Sequence, residues 1–253
     1  MRTIAILNLK GGVGKTLTAA TMARCLTDDH HKNVLLIDDD PQGNLSDCFG
    51  VTDRGNSTWE LLTGGGDYWP DFVTDLNPLL SIIPADMSLA YADIRRELVD
   101  LRAIDGLRQA LDEDEAYDFC IIDLPPSLGL ATQAALFAAD EVIIPIRLDT
   151  FSTSGMAQLA WQVNEMRKLN PRIRVAGILG TQFLGTDEEK DIHAWLHMNA
   201  GMPVFRQTIR MSKPVLGSVN RHASLLTHSP RCGAAVDYRR FVREYLKGVK
   251  KRG

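Results

Sequence analysis

Residues 3–16 read TIAILNLKGGVGKT, an unbroken apolar run leading into three glycines and a Lys-Thr pair. An apolar run of that kind suits a strand covered on both faces. Gly11, Gly12 and Gly14 let the backbone curl tightly and turn its N–H groups inward. The predicted helix after them adds positive potential at its N-terminus. Strand, glycine loop and helix in that order are the context that a phosphate-binding loop requires. In such a loop Lys15 reaches the β- and γ-phosphates and the Thr16 hydroxyl ligates Mg²⁺. The usual spacing G-x-x-x-x-G-K-[ST] is not met, because its first glycine would fall on Leu9. A second lysine, Lys10, precedes the glycines. On residue pattern alone it is either another phosphate ligand or an exposed side chain flanking the loop.

The rest of the chain alternates in the same manner. Apolar runs predict strands at NVLLID (33–38), LLSIIPA (79–85), FCIID (119–123), EVIIPI (141–146), RVAGILGTQF (174–183) and MPVFRQTI (202–209). Helical periodicity covers 15–29, a short segment at 57–65, 88–114 with a break near Asp105–Gly106, 130–140, 154–170, 188–201 and 233–251. Strands alternating with helices indicate βαβ units. The expected fold class is therefore α/β: a doubly wound, mostly parallel sheet flanked by helices. No repeat, low-complexity tract or linker divides the chain, so residues 1–253 are read as one domain.

In a doubly wound sheet, ligands bind beyond the carboxyl ends of the strands. Acids stand there. DDDPQGN places Asp38, Asp39 and Asp40 at the end of the second strand, and Asp123 ends the strand FCIID. Asp123 fits a carboxylate that holds Mg²⁺ through its water shell. Asp38 or Asp40 would orient the attacking water or hold a metal-bound one.

Composition narrows the class further. No stretch nears the roughly 18 apolar residues of a membrane span, and the N-terminus lacks a signal-peptide layout. Cys25, Cys48, Cys120 and Cys232 are scattered, without a CxxC pair, which suits reduced thiols in a cytoplasmic protein. The net charge is −4, but residues 203–253 hold twelve Lys or Arg against two acids, so that fifth carries +10 and the remainder −14. An acidic body with a basic end suggests a surface that faces a polyanion.

Three motifs, KGGVGKT (Lys10–Thr16), DDDPQGN (Asp38–Asn44) and IIDLPPSLG (Ile121–Gly129), resemble those of the ParA group of deviant Walker A ATPases, which includes the MinD-like proteins. Weaker matches at Ile82–Ala90, Glu141–Ile146 and Ser229–Ala235 follow in the family's order. The DPQGN form is similar to that of the DNA-segregation branch. The resemblance implies a P-loop fold and weak, partner-stimulated ATP hydrolysis with Mg²⁺. It implies nucleotide contacts along Lys10, Gly11, Gly12, Val13, Gly14, Lys15, Thr16 and Leu17. Lys15 and Thr16 would act in cis, Asp40 would position the water, and Asp38 would support a metal shell that includes Thr16 and Asp123. Lys10 would cross a nucleotide-sandwich homodimer to the partner's phosphates, as an arginine finger does. The further implications are non-specific binding of double-stranded DNA, a ParB-like centromere-binding partner and a nucleoid-associated location.

Two departures stand out. Leu17 replaces a second threonine that is common in the family, and the loop after the sixth strand, LGTDEEKD, is acidic where basic residues are usual. DNA contacts are therefore expected from the basic C-terminal fifth: Arg206, Arg210, Lys213 and Arg221, gripping phosphates without reading bases. The last helix places Tyr238, Phe241, Val242, Tyr245 and Val249 on one face. That stripe is expected to dock on the sheet. A MinD-like membrane-surface helix is the alternative, and an iron–sulfur carrier the more distant one.

Overall fold

The computed structural model describes residues 1–64, 69–113, 115–149, 161, 164–165, 167–168, 170–219 and 223–250. The helix expected over 154–170 falls mostly outside the described residues, as does Arg221.

The chain opens with β1 (Arg2–Ile6), the glycine loop and α1 (Lys15–His30), followed by β2 (Val34–Asp38) and two short helices, α2 (Asn44–Cys48) and α3 (Thr58–Leu62). Next come β3 (Thr74–Asn77), β4 (Leu80–Ile83), α4 (Ala103–Glu113), β5 (Phe119–Asp123), α5 (Leu130–Ala138), β6 (Glu141–Arg147) and β7 (Arg174–Thr181). Helices α6 (Asp187–Asn199), α7 (Lys213–Val219), α8 (Leu225–His228) and α9 (Gly233–Lys250) complete it. The seven strands form one sheet in the order β3-β4-β2-β5-β1-β6-β7. Every neighbouring pair is parallel except β3–β4.

The central strands are buried on both faces, which is why their sequences run apolar without alternation. Leu35, Ile37, Ile122 and Ile144 face one apolar layer, closed by α4, α5 and part of α6. Leu36, Ile121 and Ile143 face the other, closed by α1 and α9. Tyr238, Phe241, Val242 and Tyr245 of α9 are fully buried in that second layer. The apolar face of α9 is thus core and is not free to lie on a lipid surface. Among the described residues no helix is long and apolar enough to cross a membrane.

Three expectations need correction. The segment 202–209 is not a regular strand. It runs beside β7 through an isolated parallel bridge from Val204 to Ile178, and just past it Arg210 bridges Phe183 beyond the end of β7. Pro203 has no N–H to give, and the N–H groups of Arg206 and Gln207 go to the two Glu244 carboxylate oxygens (2.8 and 3.0 Å) rather than to β7. The seventh strand of the sheet is instead β3, whose polar sequence TDLN gave no apolar signal; it pairs antiparallel at the edge, aided by a Ser81–Asp75 hydrogen bond of 2.7 Å. The expected long helix over 88–114 breaks earlier than Asp105–Gly106. Two 3₁₀ turns, Met87–Tyr91 and Arg96–Leu98, precede α4, which runs through both residues. Asp105 is held inside α4 by Arg108, Gln109 and Arg172. Asp93, between the turns, is turned aside to accept the Leu130 N–H at 2.9 Å.

Candidate functional site

The site lies at the carboxyl ends of β1, β2 and β5, where the connection from β1 runs to β2 on one side of the sheet and that from the neighbouring β5 runs to β6 on the other. Gly12 and Gly14 take φ of +72° and +86°, backbone that L side chains rarely adopt. A Cβ added at Gly11, Gly12 or Gly14 would meet no atom within 4 Å, so the loop frames open space. Gly14 is the N-cap of α1 and offers no side chain, which leaves the first N–H groups of the helix for a ligand.

Lys15, the first residue of α1, is 7% exposed, and its Nζ rests 3.3 Å from the Lys10 carbonyl. Burial lowers its pKa, while the charges of Asp123 and Asp40 work in the opposite direction. A buried ammonium this lightly bonded is suited to a polyanion.

Asp38 and Asp123 are paired in register across β2 and β5. Both are fully buried. Neither Asp123 oxygen has a well-formed hydrogen bond. Burial pushes Asp123 well above the usual carboxylate range and the Asp38 charge adds to this; Thr16 and Lys15 pull the other way. An orphaned, buried carboxyl beside a threonine hydroxyl and an open phosphate cradle fits Mg²⁺, which keeps waters and is usually held by one or two carboxylates plus substrate phosphates. Among the described residues no three His, Cys, Asp or Glu side chains are placed to hold a metal by themselves.

Asp38 is more constrained than the sequence suggests. Its Oδ2 accepts the Ser46 N–H (2.8 Å) and hydroxyl (2.7 Å), and its Oδ1 the Asp40 N–H (3.3 Å). Burial still raises its pKa to about 6. These bonds fix the DPQGN turn, in which Asp40 Oδ1 accepts the Gln42 N–H at 3.0 Å. Asp39, given no role from sequence, is buried with both oxygens unbonded, and burial together with three neighbouring acids raises its pKa well above the ordinary value.

Lys10 does not join Lys15. Its side chain is 43% exposed, and its Nζ pairs with Asp149 beyond the end of β6, at 3.1 and 3.4 Å from the two oxygens. Asn8, also missed from sequence, sets this geometry: it accepts the Lys10 N–H at 2.8 Å and donates to the Pro145 carbonyl at 2.7 Å. Val13 is buried, and Thr16 and Leu17 are half-buried. The four predicted DNA-binding residues do not behave as a set. Arg206 and Lys213 are exposed. Arg210 is 52% exposed but forms a two-bond pair with buried Asp237, Nε at 2.7 Å and Nη2 at 2.8 Å.

A glycine loop that frames a cradle, a buried lysine at its end and two strand-end aspartates together define a P-loop ATPase. A family model described as an AAA domain matches residues 1–175. The chain is 35% identical to the chromosome-partitioning ATPase Soj of Thermus thermophilus, with 99% of the chain and 97% of that protein covered. It is 32% identical to the chromosome partitioning protein ParA of Caulobacter vibrioides, covering 100% and 96%. A Mycobacterium smegmatis structure described as cobyrinic acid a,c-diamide synthase, with bound ATP analogue and magnesium, superposes with a TM-score of 0.84 at 28% identity, covering 100% of this chain and 97% of that one. The chain belongs to the ParA/Soj family of P-loop ATPases, and its cofactors are ATP and Mg²⁺.

Proposed function

We propose that this ATPase serves DNA partition through a nucleotide-gated dimer. Lys15 and the loop N–H groups of residues 11–16 hold the phosphates in cis. Thr16 and Asp123 hold Mg²⁺, which screens the phosphate charge, and Asp38 keeps the DPQGN turn in place beneath it. Asp40 orients the attacking water. Lys10 completes the triphosphate pocket of a second copy.

The observation that carries this reading is the separation of the two lysines. Lys15 is buried at its own cradle, whereas the Lys10 ammonium stands at the rim, half-exposed. A cation in that position is available to another subunit and makes pairing depend on the bound nucleotide. Pairing would also bring two basic surfaces together, and two weak phosphate grips in one rigid body bind with high effective concentration. Arg206 and Lys213 are the exposed charges assigned to that grip. Arg210 orders the segment against α9, and Arg221 is assigned from sequence alone. A ParB-like partner would release the DNA by stimulating hydrolysis.

The test is duplex DNA binding with ATP, ADP or no nucleotide, for wild type, Lys10→Ala and Lys15→Ala, together with sedimentation of each species. Binding and dimerisation are expected with ATP only, and in neither variant. Equal DNA binding in every nucleotide state overturns the reading.

A further inference from the structure

Gln182, directly after β7, has φ +54°, a left-handed backbone at a residue that is not glycine. Such backbone is costly and persists only where the surroundings hold it. What this conformation achieves is visible in its contacts. The side-chain amide crosses to the glycine loop, and Nε2 donates to the Gly12 carbonyl at 2.5 Å. The preceding residue acts in parallel: the Thr181 hydroxyl lies 2.7 Å from the Val13 carbonyl and 2.9 Å from that of Ile146. The last residue of β7 and the one after it therefore engage two consecutive carbonyls of the loop.

A trans peptide points its C=O and its N–H in opposite directions. Holding the Gly12 carbonyl toward β7 turns the Val13 N–H away from β7, and holding the Val13 carbonyl does the same for the Gly14 N–H. Among the described residues neither N–H meets an acceptor. Thr181 is buried and belongs to the core. Gln182 is half-buried at the mouth of the site.

We propose that Gln182 is a positioning residue for nucleotide binding: by anchoring the Gly12 carbonyl it presets the Gly12–Val13 peptide with its N–H facing the phosphates. A glycine loop otherwise has many accessible conformations, since glycine populates positive and negative φ alike. Without the anchor, binding must supply the ordering that the protein now supplies beforehand.

The test uses a fluorescent ATP analogue with Mg²⁺ and a matched ADP analogue, with wild type, Gln182→Ala, Gln182→Gly and Gln182→Glu. Loss of one neutral hydrogen bond predicts affinity about fivefold weaker for Gln182→Ala. Gln182→Gly relieves the strained φ but removes the donor. Its melting temperature without nucleotide should match or exceed wild type while its nucleotide affinity falls, a split that a purely structural role would not give. Gln182→Glu keeps the size of the side chain, but an ionised carboxylate has no proton to donate and repels the Gly12 oxygen. Its affinity at pH 8 should therefore fall below that of Gln182→Ala. Wild-type affinity in both Gln182→Ala and Gln182→Gly overturns the proposal. So does a Gln182→Glu affinity at pH 8 equal to that of wild type. Should any one variant fail to fold, the remaining two decide the matter.

Discussion

Replacing Phe241 by alanine tests whether the last helix is core or membrane-facing. Phe241 is fully buried, and its ring meets Phe205 edge to face, with centroids 4.9 Å apart at 87°. Phe205 in turn lies against Gly177 of β7, so the ring fills space that no neighbour can readily take over. Removing a buried phenylalanine costs about 3–5 kcal/mol, and the lost aromatic pair, worth about 0.5–1.5 kcal/mol, favours the upper half of that range. At about 2–4 °C per kcal/mol for a chain of this size, the melting temperature should fall by roughly 8–20 °C. Val249→Ala, at a partly buried position on the same face, is the internal control and should cost less than about 1 kcal/mol. Urea titration gives the free energies and calorimetry the midpoints. A Phe241→Ala protein as stable as wild type, whose association with anionic vesicles is lost, would show that α9 leaves the core to meet lipid and would refute the docking argument.

Three other outcomes follow from the site and its supports. Asp149→Asn frees Lys10 from an exposed ion pair worth about 0.2–1 kcal/mol, so ATP-dependent pairing should tighten by up to about fivefold in sedimentation equilibrium; weaker pairing would mean that Asp149 steers Lys10 rather than restrains it. Asp123 is held protonated to higher pH than an ordinary carboxyl, and a bound cation favours its ionised form. Binding of the magnesium nucleotide should therefore release a proton, and its affinity should rise with pH; calorimetry in buffers of differing ionisation enthalpy should show the release in wild type and a smaller one in Asp123→Asn, where the neighbouring acids alone can contribute. Arg210→Ala leaves the buried Asp237 carboxylate short of charged donors and should cost about 1–3 kcal/mol in urea titration, whereas Lys213→Glu should leave stability within about 0.5 kcal/mol and weaken DNA binding at low salt.

The features legible in the sequence were those written locally. Runs such as VLLID and FCIID announce strands buried on both faces, and the acids that end them, Asp38 and Asp123, fall together because parallel strands in register bring their last residues side by side. The glycine loop declares itself through residue types that few other structures need. What escaped was set by distant partners. The edge strand TDLN is polar because one side of it is bare. Residues 206–207 read as strand but surrender their N–H groups to Glu244, nearly forty positions away. Arg210 looks like a free cation until Asp237 is seen beneath it. Lys10 and Asp149 lie 139 positions apart, and nothing near either announces the other.

Thr18, one turn into α1, has a single hydroxyl proton, and it goes to the Gly14 carbonyl at 2.7 Å. The contact of 3.0 Å with the Tyr238 hydroxyl must then run the other way, with tyrosine as donor. A continuous relay joins the rear of the glycine loop to a fully buried residue of the terminal helix. Any twist of the loop at Gly14 alters what that phenol feels. A fluorine label on the Tyr238 ring would thus watch the pocket from behind, with nothing added to the nucleotide site or to the protein's surface.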